Sequence, residues 1–218
     1  MAQYFVIHAD NPQPRLIRRT AEIVRAGGVI AYPTDSCYAL GCHIGDKAAM
    51  ERIRRIRAVD SRRHLTLVCR SIAEVAVYAR VDNRQYRLLK AATPGSYAFI
   101  LQATRAVPRR LQHPQRNTIG VRIPDHRVVQ DLLAELGEPL ISSTLMLPGE
   151  ETPLNDPQAI RERLEHNVEL VLDAGSCGLE PTTVVDLTGE VPLVVRLGRG
   201  PVGVFGLAEA GGGAAGPA

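Results

Sequence analysis

The chain has 218 residues and a mass of 23.7 kDa, with 45% hydrophobic residues, 22% charged residues and a mild formal net charge of +3. This size and composition suit one globular domain, and they exclude a disordered, collagen-like or coiled-coil protein. No apolar run is long enough to span a bilayer, and residues 1–15 lack the pattern of a secretory signal. We therefore expect a cytoplasmic protein with one domain over residues 1–206 and a disordered tail over residues 207–218.

Apolar spacing, capping residues and Gly or Pro stops predict the elements in chain order. The first half is predicted to contain strands at residues 3–8, 29–32 and 65–69 and helices at 14–26, 46–57, 71–78 and 82–92. The second half is predicted to contain strands at 97–102, 118–123, 140–143, 168–172, 183–187 and 192–197 and helices at 125–136 and 156–164. Residues 34–45 are expected to form a polar loop. About eight strands and six helices, some joined by short connections, predict an α/β (α+β) fold with a mixed sheet.

The four cysteines do not have the spacing of a metal site. Cys37 and Cys42 lie five residues apart, Cys69 and Cys177 lie far from them, and no C-x-x-C pair occurs. In a cytoplasmic protein such cysteines are reduced and behave as small hydrophobic side chains. We therefore predict no metal site built from protein ligands.

Arginine dominates the basic residues, since only Lys47 and Lys90 are lysine. Half of residues 52–63 are arginine, and six more arginines lie within residues 105–127. GC-rich coding would also enrich arginine, but the planar guanidinium is the group that binds phosphate and carboxylate through paired hydrogen bonds. Because the two groups flank apolar strands, we predict one basic surface. Its candidate RNA contacts are Arg52, Arg55, Arg62, Arg109 and Arg110.

Several common catalytic motifs are excluded. Residues 198–203 match G-x-G-x-x-G, but the fifteen residues that follow are too few for the rest of a dinucleotide-binding unit. The sequence contains no P-loop, no G-x-S-x-G and no H-E-x-x-H.

Five blocks follow one another along the chain: residues 28–41 (GVIAYPTDSCYALG), 53–65 (IRRIRAVDSRRHL), 93–101 (TPGSYAFIL), 118–124 with 139–148 (TIGVRIP, PLISSTLMLP), and 181–186 with 195–198 (PTTVVD, VRLG). In order and spacing they resemble the YrdC/YciO family, the threonylcarbamoyl-AMP synthase family, and most of all its YciO branch. The resemblance covers about residues 1–205. It implies a YrdC-like fold, with a twisted mixed sheet, flanking helices and a large concave basic cavity.

The resemblance also implies an activity. Synthases of this family make threonylcarbamoyl-adenylate from L-threonine, bicarbonate and ATP with Mg²⁺, and a transferase partner then modifies a tRNA adenosine. Family members have also been linked to double-stranded RNA. Such chemistry places negative charge on phosphate and carboxylate groups, which fixed donors and cations stabilise.

Residues that match the family pattern are the candidate site. The resemblance implies that Ser36, Arg122 and Thr182 bind threonine, that Arg63, Thr118, Thr144 and Arg196 bind ATP, and that Arg57 and Arg63 are catalytic. Arg122 and Arg196 also interrupt apolar strands, where an unpaired charge would be costly, so an anion-binding role suits both. Thr34 and Ser36 could instead cap the turn after Pro33.

The sequence departs from the family pattern at positions that matter for catalysis. The family's Lys-x-Arg reads Arg57-Ala-Val59, and its Ser-x-Asn reads Thr144-Leu-Met146; Ala39, His64 and Ala98 differ as well. Loss of one preorganised donor costs about 3 kcal/mol in the transition state. We therefore predict a weak nucleotidyltransferase. The alternatives are a double-stranded RNA or tRNA-binding protein with little synthase activity, and an enzyme acting on a modified nucleoside or nucleotide.

Overall fold

The structure, a computed structural model, describes residues 1–59, 65–113 and 115–206. The strands are β1 (Gln3–Val6), β2 (Ile30–Tyr32), β3 (Ala39–His43), β4 (Thr66–Val68), β5 (Tyr97–Gln102), β6 (Thr118–Arg122), β7 (Leu140–Thr144), β8 (Leu170–Asp173), β9 (Thr183–Asp186) and β10 (Leu193–Arg196). The helices are α1 (Pro14–Arg25), α2 (Lys47–Arg57), α3 (Ile72–Tyr78), α4 (Asn83–Ala92), α5 (Arg127–Leu136) and α6 (Pro157–Leu164). The expected α/β fold with a mixed sheet and flanking helices is confirmed.

Within the described residues, ten strands form one sheet in the order β1-β8-β2-β3-β7-β4-β6-β5-β9-β10. The sheet contains both kinds of pair: β4 pairs with β6 in parallel, whereas β5 pairs with β6 antiparallel. The last two strands, β9 and β10, pair antiparallel, with a register shift between Val194 and Arg196. The mixed pairing follows from short connections, which join antiparallel neighbours, and long helical ones, which allow parallel pairs.

Predicted capping residues start several helices. Asp46 accepts a hydrogen bond from the Ala49 amide, and Ser71 accepts one from the Glu74 amide. Asp82 forms a reciprocal capping box with Gln85. Each cap satisfies amide groups that have no partner inside the helix, so the helix starts could be found from sequence.

The structure corrects the loop expected over residues 34–45, because Ala39–His43 forms β3. This segment has no regular alternation and no β-branched residue, so it lacks the sequence pattern of a strand. It becomes a strand because β2 pairs with it on one side and β7 on the other. A Cβ atom on Gly41 would lie 2.6 Å from Leu140 and 2.7 Å from Tyr32, so only glycine fits between these side chains.

Helices cover the two faces of the sheet unequally. Helices α2, α3, α4 and α6 pack their apolar residues on one face. Helices α1 and α5 pack on the other, against Ile30, Tyr32, Val68 and Leu140 of the central strands. This second cluster includes no residue of β5, β6, β9 or β10. That half of the face is therefore open, and the site described below lies there.

In the described part of the chain no helix is long and apolar enough to cross a membrane. All four cysteines are free thiols; Cys37, Cys42 and Cys69 are buried, as expected, whereas Cys177 is half-buried. The predicted tail over residues 207–218 lies outside the described residues.

Candidate functional site

A cavity of about 490 Å³ lies on the open half of the sheet face. Strands β4, β5, β6, β7, β9 and β10 all contribute to its lining, and the end of α2 borders it. Ala98 and Ile100 of β5 line the cavity, whereas Leu101, which points the other way, lies in the opposite core. Gly120 of β6 adds no side chain to the floor. The alternation of β5 and β6 thus exposes small and apolar groups to the cavity.

Two arginines line the cavity from opposite ends of this row of strands. Arg57, at the end of α2, donates from Nε to Ser143 Oγ at 3.3 Å and from Nη1 to the Met146 carbonyl. Arg196 of β10 donates from Nε and Nη2 to the Thr182 carbonyl at 3.2 and 2.9 Å, and from Nη2 to Thr182 Oγ1 at 3.2 Å. These bonds hold both guanidinium groups in place, so their positive charges are preorganised toward the cavity.

A third arginine, Arg122, is buried where β6 ends. Its Nη2 donates to Asp35 Oδ1, to Ser36 Oγ at 3.0 Å and, weakly, to Thr34 Oγ1 at 3.4 Å. Asp35 Oδ2 in turn accepts a hydrogen bond of 2.9 Å from Ser96 Oγ. Arg122 does not line the 490 Å³ cavity itself, but it shares a strand face with Gly120, two residues away.

The turn after β2 presents Asp35 and Ser36 to Arg122. Thr34 Oγ1 accepts hydrogen bonds from the amides of Ser36 and Cys37 at 3.2 and 3.3 Å, and it donates to the Cys37 carbonyl at 2.6 Å. Thr34 therefore has the turn-capping role considered from sequence. A Cβ atom on Gly178 would lie 2.5 Å from the Ser36 carbonyl, so the loop before β9 packs directly on this turn.

The predicted nucleotide-binding residues occupy different environments. Thr144 is partly buried and lines the cavity, and so does the buried Thr182. Thr118 is buried, and its Oγ1 has no hydrogen-bond partner among the described residues. Arg63 lies outside the described residues. The structure thus brings Arg57, Arg196, Thr144 and Thr182 into one cavity, with Ser36 and Arg122 in an adjacent buried cluster.

Two positions that depart from the family pattern lie at the cavity, and a third lies beside it. Val59 and Ala98 contribute apolar groups to its lining. Met146 lines a neighbouring cavity of about 430 Å³, which Arg57 and Val59 also border. Val59 and Ala98 therefore place no polar side-chain group on the cavity.

The candidate RNA-binding arginines are dispersed. Arg52 forms an ion pair with Glu169 at 2.7 Å and also contacts the Gly27 carbonyl, which ties α2 to the sheet. Arg55, Arg109 and Arg110 are exposed, and Arg110 donates to the Gly45 carbonyl. Arg109 lines a groove of about 740 Å³ together with two further arginines, Arg80 and Arg105. Arg62 lies outside the described residues.

Burial shifts the titration of several groups around the site. It raises the pKa of the Cys37 thiol, raises the pKa of Cys177 to about 11 and raises that of the Tyr32 hydroxyl to about 12. Burial also lowers the pKa of His126, four residues after Arg122. These thiols and the phenol therefore stay protonated at neutral pH, and His126 stays neutral.

Four residues at or beside the site were not predicted from the sequence: Asp35, Ser96, His126 and Ser143. Asp35 lies between two expected site residues, but a carboxylate gives no pattern that reveals its partner 87 positions away. His126 has no ligand-like spacing from other histidines. Only the fold brings these groups to one place.

The chain resembles known proteins over most of its length. The Sua5/YciO/YrdC family model, described as telomere recombination, matches residues 22–198. The uncharacterised protein YciO of Escherichia coli strain K12 is 54% identical over 205 residues, which cover 94% of this chain and all of that protein. The crystal structure of E. coli YciO has a TM-score of 0.92 and the same identity and coverage.

More distant relatives include proteins that are named for an activity or a ligand. A threonylcarbamoyl-AMP synthase of Stenotrophomonas maltophilia is 34% identical over 175 residues, which cover 77% of this chain and 92% of that one. The structure of P. abyssi Sua5 complexed with L-threonine has a TM-score of 0.81 and 25% identity, covering 89% of this chain and 57% of the Sua5 chain. The predicted resemblance to the YciO branch is thereby confirmed, and the chain belongs to the Sua5/YciO/YrdC family.

Proposed function

We propose that the protein condenses L-threonine, bicarbonate and ATP into threonylcarbamoyl-adenylate and pyrophosphate, for the modification of tRNA by a transferase partner. The observation that carries the proposal is the cavity that Arg57 and Arg196 line from opposite ends, with Arg122 buried beside it. Two guanidinium groups that line one cavity, with a third buried beside it, suit a reaction in which every substrate is an anion or carries a carboxylate.

The candidate residues fall into two sets. Ser36, Arg122 and Thr182 receive threonine, with Arg122 as the partner of its carboxylate. The ATP set comprises Thr118, Thr144 and Arg196, which lie along the row of strands from β7 to β10. Arg57 acts on the reacting phosphate. Arg63, which shares the roles of ATP binding and catalysis in this proposal, lies outside the described residues.

The reaction needs charge stabilisation rather than a covalent nucleophile. The threonine amine adds to bicarbonate with loss of water, and the resulting carbamate oxygen attacks the α-phosphorus of ATP as pyrophosphate leaves. Negative charge grows on the phosphoryl oxygens, where fixed guanidinium groups lower the barrier. Among the described residues, no group of three or more His, Cys, Asp or Glu side chains could hold a metal. In this proposal Mg²⁺ would enter with ATP, bound by phosphate oxygens and water.

The substitutions at the cavity set the expected rate. Val59 and Ala98 line the cavity without a polar side-chain group, and Met146 carries only a thioether, a weak acceptor. Because one preorganised donor contributes about 3 kcal/mol to the transition state, we expect slow synthesis.

The experiment is a pyrophosphate-release assay with ATP, bicarbonate and L-threonine, and with product detection by mass spectrometry. We expect slow, threonine-dependent release and a mass that matches threonylcarbamoyl-adenylate. The variant Met146→Asn should increase the rate, since it supplies an amide donor near Arg57. No release above a reaction without threonine, in both proteins, contradicts the proposed activity.

A second candidate function is binding of double-stranded RNA or tRNA, and the groove lined by Arg80, Arg105 and Arg109 favours it. All three residues are exposed, and the described residues that line the groove include no acidic side chain. Such binding would read A-form shape and phosphates, so its affinity should fall steeply as salt rises. Fluorescence anisotropy with a labelled RNA duplex tests it. Weaker binding by Arg109→Gln supports it, whereas salt-insensitive binding contradicts it.

A further inference from the structure

The first strand of the chain lies at an unprotected edge of the sheet. Within the described residues the sheet ends at β1 on one side and at β10 on the other. Strand β10 follows Pro192 and contains the register shift between Val194 and Arg196, and both features hinder the addition of a further strand. Strand β1 has neither, because its register with β8 is continuous and its sequence, QYFV, contains no proline and no charged residue. The edge at β1 can therefore accept another strand.

The backbone of β1 has amide groups that point away from its neighbour β8. The amides of Gln3 and Ile7 donate to carbonyl groups of the β8 segment at 2.8 and 2.7 Å. Successive amides of a strand point to opposite sides, so the amides and carbonyls of Tyr4 and Val6 point outward. The Val6 residue is 67% exposed, which shows that solvent reaches this edge.

A groove of about 600 Å³ adjoins the edge and is lined by β1 and α1. All four residues of β1 contribute to it, and Leu16 of α1 adds an apolar group. Phe5 and Leu16 are only partly buried, although both pack against the core cluster beneath α1. A strand that docks here therefore covers apolar surface as well as pairing with the outward amides.

The charged side chains of the groove are mainly basic. Arg15, Arg18 and Arg19 of α1 line it, and Glu22 is the acidic residue among its described lining residues. Glu22 is paired with Arg19 at 2.9 Å. The exposed side chains of Arg15 and Arg18 form no hydrogen bond or ion pair with the part of the chain that the structure describes. Two guanidinium groups are thus left for an anionic partner.

The spacing of these two arginines suits an extended peptide. Residues three apart on a helix have Cβ atoms about 5–6 Å apart. Alternate residues of a strand lie on one face, about 6–7 Å apart. Carboxylates on alternate residues of a peptide beside β1 therefore match the spacing of Arg15 and Arg18, and a guanidinium group binds a carboxylate through paired hydrogen bonds.

We propose that β1 and this groove bind an acidic peptide segment of a partner protein, which adds to the sheet as an extra strand. The peptide backbone pairs with Tyr4 and Val6, and its alternate Glu or Asp side chains bind Arg15 and Arg18. The surface lies at the opposite end of the sheet from β5, β9 and β10, which line the 490 Å³ cavity. Binding there is therefore independent of the chemistry proposed for the cavity.

Fluorescence anisotropy with the full chain and a labelled peptide of alternating Val and Glu residues tests the charge match. We expect saturable binding that weakens as the salt concentration rises. The double variant Arg15→Gln/Arg18→Gln should bind at least about 10-fold more weakly, because two charge-assisted contacts are lost. The matched control is Arg87→Gln/Lys90→Gln, which removes two exposed cations three residues apart on α4 and should bind as the wild type does.

Amide hydrogen exchange, measured by NMR, tests the addition of a strand. With the peptide at about ten times its Kd, exchange at Tyr4 and Val6 should slow by about 10-fold, since only the free fraction exchanges. Exchange at Phe5, whose amide points toward β8, should change little. A peptide that is N-methylated at two consecutive central residues lacks donors on both of its edges and should bind at least about 10-fold more weakly.

Three results would overturn the proposal. One is the absence of saturable binding, with a Kd weaker than about 1 mM. Another is an equal loss of affinity in the two double variants, which would indicate attraction by net charge alone. The third is unchanged exchange at Tyr4 and Val6 in the presence of bound peptide, which would show that no strand is added. None of these results bears on the release of pyrophosphate, so failure here leaves the proposed synthase activity untouched.

Discussion

The buried ion pair between Asp35 and Arg122 leads to the most detailed prediction. Each of the two side chains is only 10% exposed. Asp35→Asn removes the negative charge, so the side-chain partners of Arg122 are then all neutral: the new amide and the hydroxyl groups of Ser36 and Thr34. Arg122→Met leaves the Asp35 carboxylate buried, with Ser96 as its remaining side-chain partner. Each single variant therefore strands a charge in the interior.

The expected magnitudes follow from this geometry. Removal of one partner of a buried ion pair costs about 3–5 kcal/mol, because the other charge is left uncompensated. Asp35→Asn should lie near the lower end, at about 3 kcal/mol, since its amide oxygen can still accept from Arg122 while its NH2 group donates to Ser96 Oγ. The double variant removes both charges and should cost about as much as one single variant, so the coupling should equal the cost of the other single variant, about 3–5 kcal/mol.

Urea unfolding, followed by far-UV circular dichroism, measures these free energies for the wild type, both single variants and the double variant. Midpoints are compared at a common denaturant slope, because a changed slope would indicate a different unfolded state. If the two single effects add within about 0.5 kcal/mol, the side chains are not coupled and the buried pair is refuted.

Three further predictions concern the cavity, the backbone and the thiols. Arg57→Leu should lower the threonine-dependent rate of pyrophosphate release by about 10²–10³-fold. Arg55→Leu, on the exposed side of the same helix, should leave this rate unchanged. Equal rates for the two variants would show that Arg57 is not part of the site. Gly198→Ala should destabilise the fold by about 2 kcal/mol or more in urea unfolding, because its Cβ would lie 2.2 Å from the carbonyl oxygen of Pro181. Gly203→Ala is the control, since its Cβ meets open space. Similar unfolding midpoints for the two variants would contradict the predicted clash. At pH 8, Cys177 of the folded protein should react with iodoacetamide about 100-fold more slowly than Cys177 of the protein unfolded in urea, since burial raises its pKa to about 11. Equally fast labelling of the folded protein would contradict the burial of this thiol. The same shift predicts that stability falls as the pH rises above the ordinary thiol pKa, because only the unfolded chain ionises there.

The helices and most strands could be predicted because their signals are local. A capping residue such as Asp82 lies three residues from the amide that it satisfies, and β5 alternates between core and cavity over six residues. The exception, β3, has no such signal, and it forms only because β2 and β7 lie on its two sides. Pairing energy from distant strands outweighs weak local preference there.

Some features of the candidate site could likewise be predicted from the sequence, and others could not. Arg122 and Arg196 stand out in sequence because a charge in an apolar strand needs a partner. The sequence does not identify that partner. Asp35, which pairs with Arg122, lies 87 residues away in the chain, and Ser96, which donates a hydrogen bond to Asp35, lies in a third segment. The spacing of Asp35, Ser96 and Arg122 along the chain does not predict that they interact.

The sequence by itself determined the family, the helix starts and the excess of guanidinium groups, because each depends on residue type and short-range order. Tertiary structure alone decided which half of the sheet face stays uncovered and which arginines line one cavity. The physical reason is that burial and charge pairing depend on distance in space, and the folded sheet brings together groups that the chain keeps far apart.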